Sequence, residues 1–266
     1  MKILPISDIH AEIWLPRPGY WTREFKKWFD QVDVLVLAGD NGSCMNNITM
    51  LTQILLEFPN LHIVYVLGNH DYYLTRYEHA WQSMLIADYS IDRLHVLTGY
   101  DNSAWKHNNV IFIGGTMWTD FNKNNPNAMN EVQRVMNDYR AISSNNGSKP
   151  ITPNFIYNEH HIMKKNIFRL LNRFPDNKKV VVTHHKPYIT EPVTDLVAYG
   201  YEVDLTDEFN ACESLPEYWI FGHTHKSTWK TINYEHGNVT FVSNQFGYPS
   251  EDPSVTGFHK DCILEV

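Results

Sequence analysis

The stretch Leu61-His62-Ile63-Val64-Tyr65-Val66-Leu67-Gly68-Asn69-His70-Asp71 decides the fold. Its first part is short, apolar and rich in β-branched residues, as a strand buried on both faces must be. A glycine then breaks the run, and Asn, His and Asp follow at once. The same arrangement recurs along the chain. Lys2 to Ile6 ends at Ser7-Asp8-Ile9-His10, and Asp33 to Ala38 ends at Gly39-Asp40. Lys179 to Thr183 ends at His184-His185, and Tyr218 to Phe221 ends at Gly222-His223-Thr224-His225.

Helical patterns separate the first three runs. Trp21 to Phe29 carries Phe25, Trp28 and Phe29 at helical spacing, and Met45 to Phe58 repeats Ile48, Leu51, Leu55 and Phe58. Strand, helix, strand, helix, strand implies a parallel sheet with crossover helices. In such sheets ligands bind beyond the carboxyl ends of the strands. Further on, Val110 to Gly115 reads as another strand. Residues from about 116 to 150 read as an insertion over the strand ends, with an Asn-rich stretch and then a helix from Glu131 to Ile142. A long helix is expected from Thr152 or Pro153, with proline favourable in the first turn, to Phe174. The segment from Thr190 to Glu217 reads as an acidic loop with short helices. Alternation of apolar and polar residues from Thr228 to Val266 suggests antiparallel strands of a second sheet.

Composition bounds the function. The chain has 266 residues with 43% hydrophobic and 20% charged side chains, which fits a folded globular protein, expected here as one domain over residues 1–266. Cys44, Cys212 and Cys262 form no CxxC pair and no disulfide framework. The opening Met1-Lys2-Ile3-Leu4-Pro5-Ile6 lacks the length of a signal peptide, and no apolar run approaches a membrane span, so a cytoplasmic protein with no membrane partner is expected. The net charge of −8 argues against tight binding of long nucleic acid. Oligomeric state is not readable. The unusual count is histidine, 14 against 13 glycines.

The strand ends supply Asp8, His10, Asp40, Asn69, His70, Asp71, His184, His223 and His225. Carboxylates and imidazoles together suit Mn, Fe, Zn, Ni or Co. In extended chain, residues two apart point to one side, so Asp8 with His10, and His223 with His225, can each aim into one cavity. A single His or Asp at a strand end is more often a core residue or helix cap than a ligand. Five such coincidences in one topological position are a different matter. His184 and His185 are neighbours, and only one of them can face the same side.

The set Asp8-Ile9-His10, Gly39-Asp40, Gly68-Asn69-His70-Asp71, His184 and Gly222-His223-Thr224-His225 resembles the calcineurin-like metallophosphoesterase superfamily, in the family's order. The resemblance implies an α/β fold, a four-layer α/β/β/α sandwich, with two divalent or trivalent metal ions between the strand ends. It implies one metal on Asp8, His10 and His225, the other on Asn69, His184 and His223, and Asp40 bridging. It implies hydrolysis of a small phosphodiester or phosphomonoester, nucleotides included, by a metal-bridging hydroxide. His70 would then face the leaving-group oxygen as its acid, with Asp71 orienting it. The family pattern of a His shortly before a Pro favours His184, with Pro187 after it, leaving His185 as a neighbour or substrate contact. In the insertion, Trp118, Asp120, Asn137, Asp138, Tyr139 and Arg140 are of the kinds that read the organic part of an ester. Arg140 is the candidate for a phosphate and Tyr139 for stacking. His160 and His161 on the long helix are further cleft candidates.

Departures narrow the reading. Asn41 to Asn47 lacks the Asp and Arg that follow Gly-Asp in protein Ser/Thr phosphatases. The appended domains of a double-strand-break nuclease of the superfamily are missing. A non-catalytic scaffold would have lost ligands, and other metallohydrolases order their His-x-His motifs differently. Between monoesters and diesters the sequence does not choose.

Overall fold

In this computed structural model, residues 1–17, 19–101, 103–144, 147, 149–189 and 193–266 are described. The chain opens with β1 (Lys2–Ile6), then short helices α1 (Ala11–Trp14), α2 (Tyr20–Glu24) and α3 (Lys26–Phe29). The expected helix over Trp21 to Phe29 is thus broken at Phe25, whose φ of −110° leaves the helical range. Next come β2 (Val34–Ala38), α4 (Cys44–Glu57), β3 (His62–Val66), α5 (Tyr77–Ser90), β4 (Leu94–Leu97), β5 (Ala104–His107) and β6 (Val110–Gly115). The insertion holds α6 (Phe121–Asn124), α7 (Pro126–Val135) and α8 (Asp138–Ala141), and α9 (Pro153–Arg173) follows. The chain ends with β7 (Lys178–Thr183), α10 (Thr206–Ala211), β8 (Tyr218–Ile220), β9 (Thr228–Tyr234), β10 (Gly237–Ser243), α11 (Pro253–Thr256) and β11 (Leu264–Glu265). Cys44, four residues after Asp40, reads from sequence as a helix-packing residue, and its side chain lies outside the described residues.

Among the described residues the strands form a five-stranded sheet, β11-β1-β2-β3-β4, and a six-stranded sheet, β5-β6-β7-β8-β10-β9. β1 to β4 run parallel, and β11 joins β1 antiparallel. In the second sheet β6, β7, β8 and β10 run parallel, with β5 and β9 antiparallel at the edges. The expected antiparallel tail is therefore half right in detail: β9 and β10 pair that way, but β11 crosses to the first sheet.

Side-chain alternation creates the layers. Val34, Val36, Val64 and Val66 on one sheet meet Phe112, Val180, Val182 and Ile220 on the other. The alternate residues Leu35, Leu37, Ile63 and Tyr65 face α4 and α5 through Leu51, Ile54, Leu55 and Met84. On the far side Ile111, Ile113, Val181 and Trp219 pack against Ile167, Leu170 and Leu171 of α9. Helices, sheet, sheet and helices make a four-layer α/β/β/α sandwich. Burying each such aliphatic side chain contributes about 1.5–3 kcal/mol.

The insertion differs from expectation. Its main helix starts earlier, because Pro126 sits in the first turn and the Asn125 side chain accepts from the backbone of Asn127 and Ala128. It stops at Val135, since Met136 is extended at ψ 140°, and α8 restarts at Asp138. Val132, Met136 and Tyr139 bury into the same core as α4 and α5. α9 runs as expected, with Thr152 accepting from the Phe155 N–H.

Candidate active site

The parallel strands end on one rim, and Asp8, Asp40, Asn69, His184 and His223 arrive there buried. The backbone does this by left-handed turns. Asp8, His10, Asp40, His223 and His225 all have φ between 50 and 71°. Non-glycine residues in that region cost roughly 1–2 kcal/mol each. The expectation of extended Asp-x-His and His-x-His pairs is corrected accordingly: each pair shares the cavity because both members turn. Two glycines make room. A Cβ at Gly68 would sit 2.1 Å from Asp40 Oδ1, and one at Gly39, itself at φ 90°, 2.3 Å from His184 Nδ1.

The rings share one orientation. His184 Nδ1 donates to the Ala38 carbonyl at 2.9 Å, His10 Nδ1 to Glu12 Oε1 at 3.2 Å, and His225 Nδ1 to Glu251 Oε2 at 2.6 Å. Each Nε2 therefore turns inward as the lone-pair atom. There they meet other acceptors. His10 Nε2 lies 3.0 Å from His225 Nε2. His184 Nε2 lies 3.0 Å from Asn69 Oδ1 and 3.3 Å from Asp40 Oδ2. His225 Nε2 is 3.6 Å from Asp8 Oδ1, and His10 Nε2 is 3.9 Å from Asp40 Oδ2. His223 Nε2 is buried with no hydrogen-bond partner. Acceptors facing acceptors at these distances repel unless positive charge lies between them. The groups Asp8, His10, His225 and Asp40, His184, His223 are each compact enough to hold a cation. The donor set thus fits two metal ions.

Electrostatics without metal express the same demand. Burial lowers the basicity of His184, but nearby Asp40 outweighs it and raises its pKa to about 9. Burial would raise Asp40, yet His184, His70 and His10 hold it well below the usual carboxylate range. Burial beside His184 drives His185 down to about 3, and its Nδ1 donates to the Thr116 carbonyl at 3.1 Å.

His70 follows Asn69 in a short 3-10 turn, His70–Tyr72. Its backbone N–H donates to Asp40 Oδ1 at 2.8 Å. Its Nδ1 donates to Glu12 Oε1 at 2.9 Å, its face stacks on Tyr73 at 4.2 Å, and its Nε2 is 3.4 Å from Tyr248 OH. Burial lowers His70, but Asp40 and Glu12 raise it to about 9. The carboxylate at His70 is thus Glu12 and not Asp71, which corrects the role expected of Asp71. Asp71 accepts from the N–H groups of Gly68 (2.7 Å) and Asp40 (3.1 Å), from Asn47 Nδ2 at 2.8 Å, and from Tyr65 OH. It pins the two strand ends to each other. Burial and the Asp40 charge push it up to about 7.

A cleft of about 450 Å³ opens over these groups. Its lining includes Asp40, Asn69, His70, Tyr73, Met136, Asn137, Asp138, Tyr201, His223, Thr224, His225, Tyr248 and Glu251. Asn137 and Asp138 of the insertion are there. The substrate contacts expected of Arg140, Tyr139 and His185 are not in that lining. Arg140 is exposed and bonds the carbonyls of Arg134 and Met136, because two residues beyond the cleft-lining Asp138 it lies about 200° round the helix. Tyr139 is core, and His185 is buried beneath His223 and Trp118. Trp118 is also core. His160 is fully buried, donating from Nδ1 to the Met117 carbonyl at 3.0 Å.

Sequence reasoning missed Glu12, Glu251, Tyr73, Tyr201 and Tyr248. Glu12 extends the alternation Asp8-x-His10-x-Glu12 and was within reach of the same spacing argument. Glu251 and Tyr248 lie in the irregular segment after β10, where no periodicity marks them.

Comparison with known proteins agrees with this geometry. The calcineurin-like phosphoesterase family matches residues 1–227. The fold is similar to phosphopantetheinyl hydrolase from Mycobacterium tuberculosis, with 14% identity, a TM-score of 0.66, and coverage of 93% of this chain and 90% of that one. It is also similar to a dimetal phosphatase from Danio rerio, with 14% identity, a TM-score of 0.53, and coverage of 96% and 90%. No curated protein sequence matches the chain significantly.

Proposed function

The chain belongs to the calcineurin-like phosphoesterase family and is a metal-dependent phosphoric ester hydrolase; from that premise we propose that it hydrolyses small phosphodiesters or phosphomonoesters at a dinuclear centre in the cleft. Asp8, His10, His225 and Asp40 would hold one metal, and Asn69, His184, His223 and Asp40 the other. The carrying observation is the inward set of Nε2 atoms around Asp40, whose Oδ2 lies within 3.9 Å of both His10 Nε2 and His184 Nε2. When bound, a pair of Mn, Fe, Zn, Ni or Co ions supplies Lewis acidity that ionises water and offsets charge on the phosphate.

The chain's own groups do the rest. A water molecule releases a proton to solvent and its oxygen forms a bond to phosphorus as the ester P–O bond breaks. The leaving oxygen takes that bond's electron pair and the Nε2 proton of His70, whose Nδ1 is held by Glu12 Oε1 at 2.9 Å. Asp71 fixes the Gly68 and Asp40 backbone that carries the site. Tyr73, Met136, Asn137, Tyr201 and Tyr248 offer a neutral wall to the ester's organic part. Among the described residues lining the cleft there is no Lys or Arg, which favours a small ester over a long polyanion.

The test is hydrolysis of bis(nitrophenyl) phosphate and nitrophenyl phosphate, side by side, by protein loaded with each of these metals. Turnover of at least one ester that disappears on chelation supports the reading. A metal-loaded protein inert toward both esters and toward alkyl esters overturns it.

A further inference from the structure

Glu12 stands in the first turn of α1, just after His10. One of its oxygens, Oε1, accepts from two imidazoles at once: His10 Nδ1 at 3.2 Å and His70 Nδ1 at 2.9 Å. The two rings meet edge to face, 4.5 Å apart. The other oxygen, Oε2, is buried without a hydrogen-bond partner among the described residues. An unpartnered buried carboxylate oxygen costs free energy. A carboxylate placed only for stability would turn that oxygen to solvent or to a donor. Here it is fixed so that a single atom serves both rings. The neighbouring Asp71, the more obvious partner in sequence, is taken by Gly68, Asp40, Asn47 and Tyr65.

We propose that Glu12 is a positioning residue for the leaving-group step: by holding His70 Nδ1 it points His70 Nε2 into the cleft, and by holding His10 Nδ1 with the same oxygen it sets that acid in register with the metal ligands. This rests on the phosphoesterase reading above and on the acid role of His70. Glu12 lies outside the proton path, since its Oε1 contacts His70 at Nδ1 and not at Nε2. His70 Nε2–H breaks, the leaving oxygen gains the proton, and the P–O ester bond breaks toward it.

Leaving-group dependence separates this from mere support. An acid matters for an alkoxide and hardly at all for a dinitrophenolate. Glu12→Ala, Glu12→Gln and His70→Ala are compared with the native enzyme on an alkyl ester and on a dinitrophenyl ester, with metal content measured on the same preparations. The expected result is a loss of about 100-fold in kcat on the alkyl ester for Glu12→Ala, a loss of only a few-fold on the dinitrophenyl ester, little change in KM, full metal content, and partial rescue in Glu12→Gln. His70→Ala should show the same selectivity. If His70→Ala is selective and Glu12→Ala slows both esters equally or loses metal, the positioning role is overturned while the phosphoesterase reading stands. If His70→Ala itself slows both esters equally, the acid role falls and Glu12's role with it. A native enzyme inert on every ester instead overturns the reading beneath both.

Discussion

The Asn69 side-chain amide donates to Asp138 Oδ1 at 2.9 Å, and that bond decides which end of the amide faces His184. With its nitrogen held by Asp138, Asn69 presents its carbonyl oxygen 3.0 Å from His184 Nε2. Tyr73 OH donates to the same Asp138 oxygen at 2.6 Å. Asp138 belongs to α8, so the insertion reaches the site through its bond to the Asn69 amide. Removing the outer partner of a metal ligand typically costs 10- to 100-fold in affinity. Asp138→Ala should lower metal affinity by about that much, measured by titration calorimetry, with the fold retained. Unchanged affinity would mean that Asn69 needs no outside support.

Gly68 has no space for a side chain. An added Cβ would fall 2.1 Å from Asp40 Oδ1 and 2.3 Å from its backbone nitrogen. Neither can retreat easily, because Asp40 is fully buried and tied to His70 N and Asp71. Gly68→Ala should displace Asp40 by the better part of an ångström. Misplacement on that scale costs about 100-fold in rate. Ester hydrolysis by the metal-loaded variant, compared with the native enzyme, checks it.

The sheet architecture and the residues on its rim were legible because burial on both faces forces apolar runs, and each run stops where polar groups begin. His184, His223 and His225 could be found that way. How the rim is wired could not. Asp71 follows His70 in sequence, yet the chain turns it down toward Gly68, and Glu12 takes the position at His70 from a helix before β2. Left-handed backbone at Asp8 and His10 leaves no mark in composition. Tyr139 and Arg140 look equally suited to a substrate. Only the break at Met136 decides that the tyrosine enters the core and the arginine bonds carbonyls on the surface.

His160 gives the acid side of the stability profile a signature. Burial, together with Lys164, depresses it to about 3 in the folded protein. Unfolded, it titrates near 6.5, so between those values the unfolded chain binds a proton that the folded chain refuses. Stability from this group is therefore complete above pH 6.5 and falls as pH drops toward 3, at about 1.4 kcal/mol per pH unit. His160→Gln should lose about 2 kcal/mol less than the native protein between pH 7 and pH 5. Urea unfolding at the two pH values measures this. Equal losses would mean that His160 is solvated in the folded state.

In the proposed centre Asp40 joins two metals. Metal content and ester hydrolysis, measured together on native protein and on Asp40→Asn, test it most directly. The native chain should carry a pair of metal ions and hydrolyse a nitrophenyl ester. The variant should lose at least one ion and at least about 100-fold in rate, a loss no smaller than that from an outer partner. Full activity with unchanged metal content in Asp40→Asn would mean that Asp40 does not join two metals.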